Sequence, residues 1–219
     1  MFLSAKTRSA LLTIRNESGD TLRFQLNVFA WDQSPQGEVL LSPTEDIVFF
    51  PPLLTLAPGE ERRVRIGTVT PVASSEKTYR IFVEELPPSS KPGRAQGEAE
   101  VRLVTKMGIP IFIQPDNRLE GTRVQEMVIR RGLLSFQIRN TGNVHFVPED
   151  IRVKGYGPGG DTLFERRLEG WYILAGGHRS YELEIPKGDC AKLKTLAVEV
   201  GGQQQSVKER LEVPPSACD

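Results

Sequence analysis

The sequence predicts an all-β protein built from two sandwich domains, and three observations support this. Short runs of alternating apolar and polar residues recur about every ten residues, with turn-forming residues between them. Helical periodicity is almost absent. The chain has 219 residues, which suits two domains of about 100 residues. Because the alternation stops at QPDNRLEGT (114–122) and then resumes, we expect domains at 1–116 and 117–219.

In the first domain, alternating runs and one short apolar run, IVFF, predict a series of short strands. These runs are SALLTIRN (9–16), LRFQLNVFAW (22–31), IVFF (47–50), RVRI (63–66) and YRIFVEEL (79–86). Between the last two strands of this domain, EELPPSSKPGRAQGEAE (84–100) is rich in Pro, Gly and Ser and predicts a loop. The run after it, EVRLVTKMGIPIFI (100–113), is long for a strand and is a candidate sheet edge.

The stretch VFFPPLLTLAPGEERRVRIG (48–67) combines two kinds of break with strand patterns. Pro51 and Pro52 have no N–H to give to a ladder, so they belong at a strand end or a sheet edge. Pro58 and Gly59 predict a tight turn, because Pro fixes φ and Gly tolerates a positive φ. The stretch therefore predicts a strand, a proline-marked crossing, a turn and a second strand.

Beyond the linker, the period-two pattern predicts a second set of short strands. The runs are VQEMVI, LLSFQIRN, HFVPEDIRVKGY, DTLFERRLEGWYIL, YELEIP, LKTLAVEV and VKERLEV.

Composition excludes several classes of function. Lys and Arg balance Asp and Glu at 28 each, so we expect no nucleic-acid partner, which would require a basic surplus. No run approaches the roughly 18 apolar residues of a membrane span. Two cysteines with only His145 and His178 form no metal-ligand spacing. Glu84 and Glu85 are adjacent in a predicted strand and point to opposite faces. We therefore expect no enzyme activity, no metal and no cofactor.

Cys190 and Cys218 lie in the last third of the chain. They are either two free thiols or one disulfide that ties the C-terminal tail to a nearby element, which would suit an oxidising compartment. The sequence leaves both possibilities open.

Several motifs in order resemble those of one known family. They are FPPLLTLAPGEERRVRI, YRIFVEELPP and a strand ending in IPIFIQP, followed in the second domain by NTGNVHFVPEDI. Together they resemble the PapD-like periplasmic pilus chaperones, nearest to the archaic branch that serves spore-coat-U-like pili. The resemblance implies two immunoglobulin-like domains in an L or boomerang arrangement and a periplasmic location. It implies pilin or coat subunits and an outer-membrane usher as partners.

The resemblance also implies a binding strand. In such chaperones the last strand of the first domain, called G1, fills the groove of a subunit that lacks a strand of its own, which is a form of strand addition. The matching positions here are Val101, Leu103 and Thr105, and Met107 continues the same face. The alternative is that this face belongs to the core of the first domain. The same open edge could also pair with a second copy of the chain.

The chain departs from the family pattern at the charged positions. In the family, an Arg and a Lys anchor the carboxylate of a subunit; the position of the Arg would lie before Met1, and Pro110 occupies the position of the Lys. Lys106 shares strand parity with Pro110 and is the nearest basic residue. In the family, two acidic residues and one basic residue form an ionic link between the domains. Here Glu85 and Glu199 match the acidic residues, whereas Gln114 replaces the basic one.

Two other functions compete with the chaperone. One is a two-domain immunoglobulin-like surface or structural protein without a client. The other is a sugar-binding sandwich, which would need exposed aromatic residues, whereas Trp31 and Trp171 both lie in apolar patterns.

Overall fold

The computed structural model describes residues 1–87, 103–202 and 206–218, and its regular structure is almost entirely β. In chain order the strands are β1 (Phe2–Leu3), β2 (Ser9–Arg15), β3 (Leu22–Gln33), β4 (Val39–Pro43), β5 (Ile47–Phe50), β6 (Leu53–Leu56), β7 (Glu61–Thr68), β8 (Lys77–Leu86), β9 (Lys106–Ile113), β10 (Thr122–Arg130), β11 (Leu133–Asn140), β12 (Asp150–Tyr156), β13 (Thr162–Leu168), β14 (His178–Glu184), β15 (Thr195–Gly201) and β16 (Ser206–Glu212). A short helix α1 (Lys187–Cys190) and a 3-10 helix (Pro215–Cys218) lie near the C-terminus. Neither could cross a membrane. The all-β prediction is confirmed.

The chain divides into two compact units. The first contains Met1–Trp31, Leu41–Ala73 and Lys77–Asp116, and the second contains Asp32–Leu40, Ser74–Glu76 and Asn117–Asp219. Each unit has its own hydrophobic core.

The first unit is a sandwich of two sheets. One has the order β1-β9-β8-β3-β4, with β6 also paired to β3, and the other has the order β2-β7-β5. Alternate residues of each strand turn inward, as the period-two pattern predicts. Leu26 and Ile81 of the first sheet and Val64 and Ile66 of the second are almost fully buried in one core.

The two prolines lie where the chain changes sheet. β5 pairs with β7 in the second sheet, whereas β6 pairs with β3 in the first, and Pro51 and Pro52 lie between β5 and β6. A crossing suits prolines, because there the backbone has no ladder to continue. Gly59 has a φ of +74° in the turn before β7, and its N–H donates to the Asn16 carbonyl. Both local predictions agree with the structure.

The second unit is also a sandwich. Its sheets have the orders β10-β11-β14 and β13-β12-β15-β16. Phe136 and Ile138 from one sheet pack in the same core as Val153 and Val198 from the other. These two sandwiches give the chain its immunoglobulin-like architecture.

A disulfide closes the C-terminal tail onto α1. Cys190, at the end of α1, is bonded to Cys218 in the 3-10 helix, with Cα atoms 5.8 Å apart. Both cysteines pack against the core of the second unit. The sequence had left free thiols equally open.

The long strand expected at 100–113 is shorter in the structure. β9 begins at Lys106, residues 103–105 precede it without strand structure, and residues 100–102 lie outside the described residues. The partner strand β8 ends at Leu86, and Pro87 cannot donate to a ladder, so strand pairing runs out at this point.

Other differences have similar causes. The strand in HFVPEDIRVKGY begins only at Asp150, after Pro148, and the strand in DTLFERRLEGWYIL ends at Leu168, before Gly170. Alternation does not predict β4 or β6, because VLLSP and LLTL place apolar residues side by side.

Candidate functional site at the edge strand β9

The edge strand β9 has a complete ladder on one side only. It pairs antiparallel with β8 from Lys106 to Ile113. On the other side, β1 pairs with Phe112 and Ile113, and the sheet order places no further described strand beside β9. Within the described residues, the N-terminal part of β9 therefore has an open edge.

The backbone groups that face this edge can be identified from the hydrogen bonds near its end. Phe112 N–H donates to Met1 O and Gln114 N–H donates to Leu3 O, both at 2.9 Å. Because successive residues of a strand direct their backbone groups to opposite sides, Lys106 and Gly108 face the same way as Phe112. They present N–H and C=O groups on which another strand could pair.

The inward-facing side chains of this segment change from buried to exposed along its length. Ile113 and Ile111 are 1% and 0% exposed, whereas Met107 is 45% and Leu103 is 88% exposed. All four have the same parity and therefore share one face where the chain is extended. The face that fills the core of the first unit thus continues, toward the N-terminus, into solvent.

The predicted binding residues can be located on this segment. Leu103, Thr105 and Met107 are exposed in the structure. Val101 lies outside the described residues. The alternative left open by the sequence was that this face packs in the core of the first domain. The three described residues of the set are exposed and do not pack there.

Lys106 points to the opposite face of the sheet. Its ammonium lies 3.1 Å from Glu84 Oε2 and 5.3 Å from the centre of the Phe82 ring. Gly108 leaves room for that ring, because a Cβ there would lie 2.9 Å from Phe82 Cε1. The ammonium is already paired with a carboxylate, so its use as an anchor for a subunit's carboxylate stays a prediction.

Two of the residues expected to link the domains lie in the first unit. Glu85 is buried, and its carboxylate accepts a hydrogen bond from Thr105 N–H at 3.3 Å. Gln114 follows β9, and its backbone N–H donates to Leu3 O. The sequence did not predict the contact between Glu85 and Thr105.

The third residue of that set, Glu199, lies on β15 of the second unit. Its carboxylate contacts Lys208 at 2.6 Å and Lys154 at 3.0 Å. The hydrogen bond from Lys208, followed by that from Lys154, lowers the pKa of Glu199 to about 2. Its charge is thus balanced by two lysines of its own sheet, and an ionic link between the domains stays a prediction.

His145 has a structural partner that sequence analysis did not identify. Its backbone N–H donates to Glu76 Oε1, its ring Nδ1 lies 2.7 Å from the same oxygen, and the ring packs on Tyr172. No group of three or more His, Cys, Asp or Glu in the described part of the chain is arranged to hold a metal ion.

Several solved structures that are similar to this chain are fimbrial chaperones. The class 5 fimbriae chaperone CfaA matches with 13% identity and a TM-score of 0.63, over 98% of this chain and 96% of that one. CsuC, in complex with the tip subunit CsuE of the archaic Csu pili of Acinetobacter baumannii, matches with 13% identity and a TM-score of 0.61, over 95% and 93%. SafB of Salmonella enterica, in complex with the SafA pilin, matches with 19% identity and a TM-score of 0.58, over 96% and 92%. At these identities, the comparisons establish a shared fold.

Sequence comparison identifies the family. No curated protein sequence matches the chain. Residues 1–118 match the family model described as pili and flagellar-assembly chaperone, PapD N-terminal domain. That region is more than half of the chain, and it contains β9 and its open edge. The chain therefore belongs to the PapD-like family of pilus-assembly chaperones, which are not enzymes.

Proposed function

We propose that the protein is a periplasmic chaperone that binds pilus or coat subunits through residues 101–107 and delivers them to an outer-membrane usher. The segment would add a strand to a subunit that lacks one. Backbone hydrogen bonds would supply affinity, and the alternate side chains Leu103 and Met107 would fill apolar pockets.

One observation carries this proposal. The open edge of β9 coincides with the exposed continuation of the inward face, from Met107 to Leu103. Exposed apolar side chains on an unpaired strand edge favour pairing with another chain. A structural protein without a client would gain nothing from that combination and would risk aggregation.

The solved structures support a subunit as the occupant. SafB was solved with the SafA pilin and CsuC with the tip subunit CsuE. We extend this type of partner to the present chain, on the strength of family membership. Family membership is also the ground on which we propose delivery to an usher and a periplasmic location.

A charge-insertion variant tests the proposal. Leu103→Glu together with Met107→Glu would place two carboxylates in the apolar groove of a subunit, which is prohibitive without partners. Both side chains are exposed, so the free energy of unfolding should change by less than about 0.5 kcal/mol. We expect a folded protein that no longer captures subunits.

The measurement is co-purification from the periplasmic fraction after co-expression with pilin subunits encoded in the same gene cluster. Leu119→Glu is the matched control, because Leu119 is also exposed and belongs to the second unit, outside the proposed binding residues. It should bind as the parent does. Normal capture by a folded double variant would contradict the proposal.

A further inference from the structure

Glu85 occupies an unusual place for a carboxylate. It follows Tyr79, Ile81 and Val83 on the inward face of β8, and it is only 9% exposed. A buried carboxylate is costly unless hydrogen bonds compensate for its lost hydration. The fold must therefore provide it with a partner.

That partner is the backbone of Thr105. Glu85 N–H donates to Thr105 O at 2.8 Å, and Thr105 N–H donates to Glu85 Oε2 at 3.3 Å. In a regular antiparallel pair, the second bond would go to the backbone carbonyl of Glu85. Here the side chain accepts it, so one residue holds both backbone groups of Thr105.

Thr105 lies at the root of the exposed segment. β9 begins one residue later, and Leu103 lies two residues earlier on the same face. With the backbone of Thr105 held against β8, the direction in which residues 103 and 104 leave the sheet is fixed. The conformations available to Leu103 are therefore fewer. Less conformational freedom is then lost on binding, which favours association.

We propose that Glu85 is a positioning residue, whose carboxylate anchors Thr105 and thereby presents residues 103–107 at the open edge of β9. The functional half of this inference rests on the proposed function. The inference also explains the presence of Thr105, whose polar side chain differs from the apolar Val101, Leu103 and Met107. The backbone of Thr105 is the group that Glu85 holds.

Experiment can distinguish the anchoring of Thr105 by Glu85 from a role of Glu85 that depends on its negative charge. The resemblance to the family gave Glu85 a part in an ionic link, for which a negative charge is essential. An anchor for an N–H group needs only an acceptor oxygen. Glu85→Gln keeps such an oxygen and removes the charge, whereas Glu85→Leu removes both at similar size.

The first experiment uses the protein without a subunit. The exchange rate of the Thr105 amide proton is measured by NMR in the parent, Glu85→Gln, Glu85→Leu and the control Glu84→Gln. Glu84 is the adjacent carboxylate and contacts Lys106 instead. The Ile111 amide in the buried part of β9 reports whether each variant keeps its fold.

We expect Glu85→Leu to raise the Thr105 exchange rate at least about tenfold, with little change at Ile111, because a bond to a charged group is among the stronger ones. Glu85→Gln and Glu84→Gln should stay within about threefold of the parent, since a neutral acceptor still protects the amide. Equal rates in the parent and Glu85→Leu, or equal rates in the Gln and Leu variants, would overturn the anchor.

The second experiment measures capture of denatured pilin subunits from the same gene cluster. Glu85→Leu should slow association about tenfold, the factor that corresponds to 1.4 kcal/mol, and Glu85→Gln should restore it. If the parent captures subunits and Glu85→Leu does so equally fast, the positioning role is wrong. If the parent captures none, the proposed function and the positioning role both fail, while the exchange rates still decide whether the anchor exists.

Discussion

At the residue scale, the clearest electrostatic feature is the pairing of Glu199 with two lysines. The pKa of this carboxylate falls from its ordinary value of 4.5 to about 2. A carboxylate whose pKa is lowered by folding stabilises the folded state fully above its unfolded pKa. That contribution is lost as the pH falls through the folded value.

This predicts how Glu199→Gln responds to acid. The parent should be more stable than the variant at neutral pH, and the difference should shrink as the pH falls from about 4.5 to about 2. Urea unfolding midpoints across this range measure it. Glu61→Gln, at an exposed residue 4.0 Å from Arg63, is the control. A difference for Glu199→Gln that stays constant over the whole range would contradict the pairing.

The sequence predicts some of these residues and not others. Parity alone places Leu103 and Met107 on one face, because alternation is a local property of a strand. The bond from Thr105 to Glu85 depends on the register between β8 and β9, and the contacts of Glu199 depend on the register between β12, β15 and β16. Register is a long-range property, so the local pattern does not contain it.

At the scale of elements, each unit has a buried asparagine that holds together the turn at the end of a strand, β2 in the first unit and β11 in the second. Asn16 follows β2, and its Nδ2 donates to Asp20 O at 2.7 Å and to Leu56 O at 3.0 Å. Its Oδ1 accepts from Ser18 N–H at 2.9 Å. One side chain thus connects the turn after β2 to the end of β6.

Asn140 repeats this arrangement at the end of β11. Its Nδ2 donates to Val144 O at 2.7 Å and to Ile173 O at 3.0 Å, and its Oδ1 accepts from Gly142 N–H at 2.9 Å. In both units the first carbonyl lies four residues on and the accepted N–H two residues on. The motifs RNESGD and RNTGNV therefore form equivalent turns.

Removing either amide should destabilise the protein. Asn16→Ala and Asn140→Ala each leave buried backbone groups without partners, which costs about 1–3 kcal/mol. Urea denaturation measures the loss. Asn117→Ala is the control, because its side chain is exposed, and it should change stability by less than about 0.5 kcal/mol. A loss of that small size in Asn16→Ala or Asn140→Ala would show that the side chain is not essential to its turn.

The strands themselves were largely predictable. Alternation gives β11 with the observed bounds and β2, β3 and β8 to within two residues, and the short apolar run IVFF coincides with β5. It fails at β4 and β6, whose apolar residues are adjacent, and at the start of β9. At the start of β9, the ladder ends because of Glu85, which belongs to the partner strand β8, and Pro87, the residue after that strand.

At the scale of the whole molecule, the central feature is the N-terminal part of β9, whose outer edge has no partner strand within the described residues. Unpaired edges are usually protected by charge, proline or short length. The edge of β9 has partial protection from Lys106 on one face and from Pro110, which lacks an N–H. The exposed Leu103 and Met107 work against it. Partial protection suits a surface that must stay soluble when free and pair with a subunit when one is present.

Site-specific photo-crosslinking tests this account most directly. A p-benzoyl-phenylalanine is introduced singly at Leu103, Val104 or Leu119, and the protein is irradiated while it is co-expressed with the pilin subunits. Leu103 and Val104 are adjacent and both exposed, but in an extended strand they face opposite sides. We expect the strongest crosslink to a subunit from position 103, at least about fivefold weaker crosslinking from 104, where the side chain points away from the groove, and none from 119. Equal crosslinking from 103 and 119, or a stronger crosslink from 104 than from 103, would contradict strand donation through this face.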